Sequence, residues 1–260
     1  MGDFEQDTAV RAVADGSFSC DIRPDWWVVA GPNGGYVAAI LVRAMSASSA
    51  AEERPLRSLT VHYQRPPQAG PAQIEVTVER QGRSVSFMRA ALSQDGRVCA
   101  GAVAVFARDR EGLELNHARA PVVAPPEEID QLPDRPEAPP FGREFDFRPA
   151  VGRTVFGGAD EALTGGWLRL RDERPLDAAA LVALCDSWFP AVFAVSDGPL
   201  AVPTLELTVH VRAPLPLAHD WVLGRYATRL AREGFLEEDA EIFSRGGRLL
   251  AQSRQLALAG

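Results

Sequence analysis

The chain of 260 residues, 46% hydrophobic and 24% charged, is long enough for one large domain or two ordinary ones with a substantial core. Its 27 basic residues are all arginine and face 35 acidic ones; the net charge of -8 argues against a broad nucleic-acid or anionic-membrane surface, though not against a local arginine cluster for a phosphate. Three scattered cysteines (Cys20, Cys99, Cys185) form no CxxC or metal-ligand spacing, so neither a disulfide framework nor a metal site is expected, and the acidic, apolar-poor start predicts a cytoplasmic protein without a signal peptide.

In chain order, Ser17–Ile22 reads as a short strand ahead of Gly31-Pro-Asn-Gly-Gly35. Tyr36–Met45 then reads as a helix apolar on almost every side, which requires burial all round. It is far short of the roughly 20 residues a bilayer span needs, so no membrane partner is expected. Four extended runs follow: Leu56–Arg65, Ala72–Gln81, Ser84–Gln94 and Arg97–Ala107. The alternation in Ile74-Glu-Val-Thr-Val-Glu-Arg80 marks a sheet with one covered face. Pro121–Pro140 holds seven of the 20 prolines, too many for a helix or a central strand. It predicts a linker (116–140) between halves 1–115 and 141–260. The second half offers strands near Glu144–Arg148 and Trp167–Arg171, a helix Ala178–Phe193, and strands Thr204–Arg212, Trp221–Leu230, Phe235–Ser244 and Arg248–Leu258.

The two halves repeat one another. Leu59-Thr60-Val61-His62 recurs as Leu207-Thr208-Val209-His210, and Pro66, Gly82 and Gly96-Arg97-Val98 map in order onto Pro214, Gly234 and Gly247-Arg248-Leu249. An ordered series with a slowly drifting offset is what duplication leaves. One all-apolar helix and about five antiparallel strands per half predict an α+β fold in which each sheet wraps round a central helix. Two such units side by side form one continuous sheet, a double hot dog. The stretches Gly31-PNGGYVAAILVRAM, SLTVHYQRPP and GRSVSFMRAALSQDGRVCAGAVAVF, then LCDSWFPAVF, PTLELTVHVRAP and GGRLLAQSRQLAL, resemble in order the two halves of the acyl-CoA thioesterase II-like family. The resemblance implies an acyl-CoA substrate, hydrolysed to a carboxylic acid and free CoA with no cofactor.

Asp186 stands in an otherwise apolar segment, where a carboxylate is desolvated unless donors hold it charged. It reads either as a water-activating base or as a solvent-edge or capping residue ahead of Pro190. The repeat offset carries it onto Gly34 or Gly35, so the chemistry is asymmetric between halves. Asn33, Gly34 and Gly35 open the first helix, where free N–H groups suit a substrate carbonyl; tight packing is the alternative. Gln255 shares a strand face with Leu249, Ala251, Ser253 and Ala257, and its repeat partner is Ala104. It is a site residue if that face points inward, and a solvated one otherwise. The resemblance puts the family's catalytic Asp, Thr and Gln at Asp186, Thr204 and Gln255, together orienting one water. Thr208 is a second candidate, but its twin Thr60 suggests a structural task.

No GxSxG elbow or HExxH is present, so direct attack by water fits better than a covalent intermediate. The repeated pair His62 and His210 reads as structural, His117 and His219 as solvated, and Cys185 as lacking an activating partner. Trp26, Trp27, Trp188 and Phe189 line either an acyl tunnel or the core, and Arg225–Arg232 faces either the CoA end or solvent. An acyl-CoA-binding protein without turnover is the main alternative function, and an enoyl-thioester hydratase or dehydratase a weaker one, since neither helix carries a His. Exposed sheet edges and an open face predict self-association, as a homodimer or higher.

Overall fold

The computed structural model describes residues 3–136, 138–153, 155–198 and 200–260. Two short elements that the sequence reading did not anticipate, α1 (Phe4–Asp7) and β1 (Arg11–Ala14), precede β2 (Ser17–Ile22) and the buried helix α2 (Gly34–Ser46). The first half continues with β3 (Leu56–Tyr63), β4 (Gly70–Gln81), β5 (Val85–Gln94) and β6 (Arg97–Ala107). The second half contains β7 (Phe145–Gly152), β8 (Leu163–Leu170), α3 (Ala178–Leu184), β9 (Thr204–Val211), β10 (Val222–Ala227), β11 (Ala231–Arg232), β12 (Phe235–Ser244) and β13 (Leu249–Leu258).

All thirteen strands join one antiparallel sheet in the order β1-β2-β4-β5-β6-β3-β9-β13-β12-β10-β8-β7, with β11 paired to β12. The repeated tetrapeptide makes the seam. Where β3 meets β9, Leu59 faces Val209, Thr60 faces Thr208 and Val61 faces Leu207. Two copies of one motif thus pair antiparallel about a local two-fold axis, and the hydroxyls of Thr60 and Thr208 meet across it at 2.9 Å. Their flanking leucines and valines are buried on the inner face, while His62 and His210 point outward.

Inside the curled sheet α2 and α3 lie antiparallel against each other. Arg43 near the end of α2 pairs with Asp177 at the start of α3 at 2.9 Å, and Gly35 at the start of α2 approaches Ala183 at the end of α3. The all-round apolar character of α2 has this cause: Tyr36 through Val42 are buried, some against the sheet and some against α3. The arrangement is the expected one, two hot-dog units fused into one continuous sheet. A single buried cluster spans both halves.

One expected boundary is wrong in a consequential way. The second helix does not run to Phe193; it ends at Leu184, and a separate 3-10 turn covers Ala191–Ala194. Leu184 O accepts hydrogen bonds from the Ser187 and Tyr226 hydroxyls at 3.0 and 2.7 Å, so side chains replace the next helical N–H. Pro190 has no N–H with which to resume the ladder. Asp186 therefore follows the helix instead of riding on it. The proline-rich segment packs on the second half: Trp167 Nε1 donates to Ala124 O at 2.9 Å, and Leu132 N–H to Phe147 O at 2.8 Å.

Candidate active site

The junction of the two helices with β9, β12 and β13 gathers the site. Asn33 caps α2, its Oδ1 accepting from Tyr36 N–H at 2.9 Å. Its Nδ2 donates to the backbone oxygen of Asp186 at 2.7 Å and to Asp186 Oδ2 at 3.2 Å. Gly35 N–H donates to the same Oδ2 at 2.7 Å. The first turn of α2 is therefore turned toward a carboxylate of the other half. This is the electrostatically favoured place for one, because the unpaired N–H groups of a helix start carry partial positive charge.

Both glycines are needed at this contact. A Cβ on Gly34 would lie 2.9 Å from Asp186 Oδ2, and one on Gly35 would lie 2.8 Å from Ala183 O and 3.0 Å from Asp186 Cβ. Tyr63 from β3 fixes the turn by donating to Gly34 O at 2.8 Å. The packing and electrostatic readings of Asn33-Gly34-Gly35 thus hold together. The N–H of Gly35, expected to be free for a substrate carbonyl, is engaged by Asp186. Counted from the helix caps Asn33 and Asp177, the repeat partner of Asp186 is Val42; Gly34 and Gly35 are its contacts, not its counterparts.

Burial pushes the Asp186 carboxyl up to about 6, against the donors of Gly35, Asn33, Gln255 and Gly34, which pull it down. It is a carboxylate at neutral pH with more basicity than an exposed one. Gln255 faces inward from β13, opposite Leu207 on β9 and Glu238 on β12. Its Oε1 accepts from the Thr204 hydroxyl at 2.9 Å; its Nε2 donates to Glu238 Oε1 at 2.9 Å, and the amide also donates to Asp186. Asp186, Thr204 and Gln255, placed by three separate elements, are joined in one hydrogen-bonded cluster.

The sequence reading missed Glu238. It is 4% exposed, its second oxygen accepts the backbone N–H of Ala191, and burial pushes it up to about 7. The signal was present: in Phe235–Ser244 the inward positions are Leu236, Glu238, Ala240 and Ile242, an acid in an apolar row.

Other candidates fall outside the cluster. Trp26 is fully buried, stacks on Tyr36 and donates to Asp7; Trp188 is buried and donates to Thr164. Arg225 and Arg229 pair with Glu241 and Asp239. Burial pushes the Cys185 thiol to about 12, which suits packing and not nucleophilic attack. Among the described residues, no group of three or more His, Cys, Asp or Glu side chains is arranged to hold a metal, and no helix is long and apolar enough to cross a membrane. A cavity of about 340 Å³ opens at the opposite end of the helix pair, lined in part by Leu56, Phe106, Ala178, Val211 and Leu215. Its largely apolar lining also carries Glu53, Arg54 and Asp177; Glu53 pairs with Arg108, and Asp177 is occupied as a helix cap and ion-pair partner.

Comparison with known proteins agrees with this architecture. A hot-dog protein of Alicyclobacillus acidocaldarius superposes with a TM-score of 0.92 at 29% identity, covering 99% of this chain and 97% of that one. An acyl-CoA thioesterase II of Mycobacterium marinum shares the fold with a TM-score of 0.81 at 20% identity, covering 99% and 98%. An uncharacterized protein of Mycobacterium bovis is 25% identical over 93% of this chain and 90% of its own length. The acyl-CoA thioesterase N-terminal domain family matches residues 23–107 and the C-terminal domain family residues 125–259, so the chain belongs to the acyl-CoA thioesterase family.

Proposed function

We propose that the protein hydrolyses acyl-CoA to a carboxylic acid and free CoA by direct attack of a water held between Asp186, Thr204 and Gln255. The observation that carries this reading is the convergence of the three side chains, with Asp186 Oδ2 held 2.7 Å from Gly35 N–H at the start of α2. Asp186, with its carboxyl near 6, is ionised at neutral pH and basic enough to take a proton from water in the transition state. The hydroxide equivalent adds to the thioester carbonyl carbon, the C–S bond then breaks, and the thiolate leaves with a proton as CoA thiol.

Negative charge moves during this step from Asp186 to the carbonyl oxygen. Once protonated, Asp186 competes less for the donors at the start of α2, and Gly35 N–H, Gly34 N–H and Asn33 Nδ2 turn to the developing oxyanion. Their substrate-binding role thus follows from the same contacts that hold the base in the resting enzyme. His62 and His210 sit on the outer sheet face, turned away from the inward cluster, which disfavours hydratase chemistry built on a His–Asp pair.

Release of free thiol from a panel of acyl-CoAs of different chain length tests the reading. Asp186→Ala is expected to lower turnover about 10²-fold or more in a protein that still folds. Acyl-CoA bound and returned intact across the whole panel selects the binding-protein alternative.

A further inference from the structure

We propose that Glu238 is a positioning residue that sets the direction of the hydrogen bonds running through Gln255 to Thr204, and thereby which polar atoms face the reacting water. The inference rests on the hydrolase reading above and adds to it an internal control of the same site. The duplication supplies the first argument. Glu238 stands opposite Gln255, which in turn stands opposite Leu207; at the corresponding place in the first half Met88 stands opposite Ala104, which stands opposite Leu59. Met88 and Ala104 are buried at 1% and 4% exposure, so this place in the fold is satisfied by an apolar pair. An acid and an amide in the second half serve something other than packing.

Hydrogen-bond accounting supplies the second argument. One Glu238 oxygen is engaged by the backbone N–H of Ala191, a donor that cannot reverse. The other faces the Gln255 amide. When that oxygen is an acceptor, Gln255 must turn its NH2 group toward it. The second N–H then reaches Asp186, Oε1 faces Thr204, and the threonine hydroxyl donates inward, as in this structure. When the oxygen carries a proton it becomes a donor, and the amide turns over. Oε1 then faces Glu238, NH2 faces Thr204 Oγ1, and Asp186 loses one of the donors that keep it charged.

The ionisable groups facing Glu238 are Asp186 from the segment after α3 and Tyr226 from β10; Glu237, adjacent to Glu238 on β12 but on its other face, adds repulsion. β13 presents the neutral Gln255, and the 3-10 turn presents the Ala191 N–H. With burial holding Glu238 near 7, both arrangements are populated around neutral pH, and the active one is the ionised form.

Glu238→Gln locks the turned-over state. Its Oε1 must accept from Ala191, so its NH2 faces Gln255 and demands the amide oxygen. At pH 8 the variant is expected to lose about tenfold or more in kcat with KM within about twofold, and its kcat profile is expected to lack the upper of the two acid-limb steps of the wild type. The side-chain amide resonance of Gln255, assigned by its disappearance in Gln255→Leu, reports the turn without chemistry. In the wild-type protein it is expected to show a step near 7, and in Glu238→Gln to lose that step and keep only the response to Asp186 near 6. Wild-type thiol release with an unaltered pH profile in Glu238→Gln overturns the inference and leaves the hydrolase reading standing. If the wild type releases no thiol, that reading fails and the resonance decides alone: the step near 7 lost in Glu238→Gln upholds the inference, and a wild-type resonance without that step overturns it, whether or not the variant folds.

Discussion

Asp186→Asn separates the chemistry of the site from its effect on stability, and the two are expected to move in opposite directions. Burial raises the Asp186 carboxyl from 3.8 to about 6 in the folded chain. A folded value above the unfolded one means that the stability contribution is fully present below about pH 4 and is lost as pH rises through about 6. Each tenfold change in the proton equilibrium corresponds to about 1.4 kcal/mol, so the ionised side chain costs the fold about 3 kcal/mol at pH 8. Asn keeps one oxygen for the donors of Gly35 and Asn33, but it sets its own NH2 against the Gln255 amide, a loss of about 1 kcal/mol. Asp186→Asn is therefore expected to be more stable than the wild type by about 2 kcal/mol at pH 8 and about equally stable at pH 4.5, where the unfolded carboxyl is already largely ionised. Loss of the Asp186 charge also relieves its repulsion of Glu238, which adds to the gain at pH 8 and leaves its sign unchanged. Urea unfolding followed by tryptophan fluorescence at the two pH values measures the difference, and thiol release is expected to fall about 10²-fold or more in the same variant. A stability gap that does not change with pH would show that Asp186 is not the desolvated carboxylate described here, whatever happens to turnover.

Gly35→Ala places a Cβ 2.8 Å from Ala183 O, a backbone atom that cannot step aside, so α2 must draw away from α3 and lengthen the Gly35 N–H contact to Asp186. Overpacking costs about 1–3 kcal/mol, offset in part by the better helix propensity of Ala, and kcat is expected to drop about tenfold or more. Chemical denaturation together with thiol release checks both, and a fully active, undestabilised variant refutes the close approach. The two threonines of β9 are expected to separate cleanly. Thr204→Val removes the hydroxyl bonded to Gln255 and lowers kcat about tenfold or more, whereas Thr208→Val breaks only the seam contact with Thr60 and its bond to Glu206, costing about 1 kcal/mol with kcat within about twofold. Equal effects of the two substitutions on kcat would remove Thr204 from the water site.

The legible parts of the fold were those written as periodicity or repetition. The alternation of β4, the all-apolar α2 and the repeated Leu-Thr-Val-His seam each follow from one local rule, and each stands where that rule places it. The end of α3 was not legible. Leu181 to Phe193 is apolar enough to continue a helix, and what stops it at Leu184 is a hydroxyl from Tyr226, forty-two residues away in sequence, together with Ser187. The contact of Asp186 with Gly35 was hidden for the same reason, since it depends on two antiparallel helices crossing at their ends. Glu238 was legible and passed over: its inward position follows from the same alternation that placed Gln255.

The duplication also accounts for why the polar cluster occurs at one helix junction and not at both. At the other end of the helix pair, Leu56 occupies the position of Thr204, Met88 that of Glu238, Ala104 that of Gln255 and Val42 that of Asp186, all of them buried. The backbone register is the same at both places, so the fold itself tolerates either filling. The polar filling confines two carboxylates in a low-dielectric space, where burial raises both, the Asp186 charge raises Glu238 further, and their ionisation works against folding. Two such junctions would double that burden on a protein whose net stability is of the order of 5–15 kcal/mol. An apolar quartet at one junction adds burial of about 1.5–3 kcal/mol per large side chain, which offsets the two ionised carboxylates at the other. On this argument the inequality of the halves is energetically favoured: the first supplies the rigid packing against which the second can hold charged groups in position.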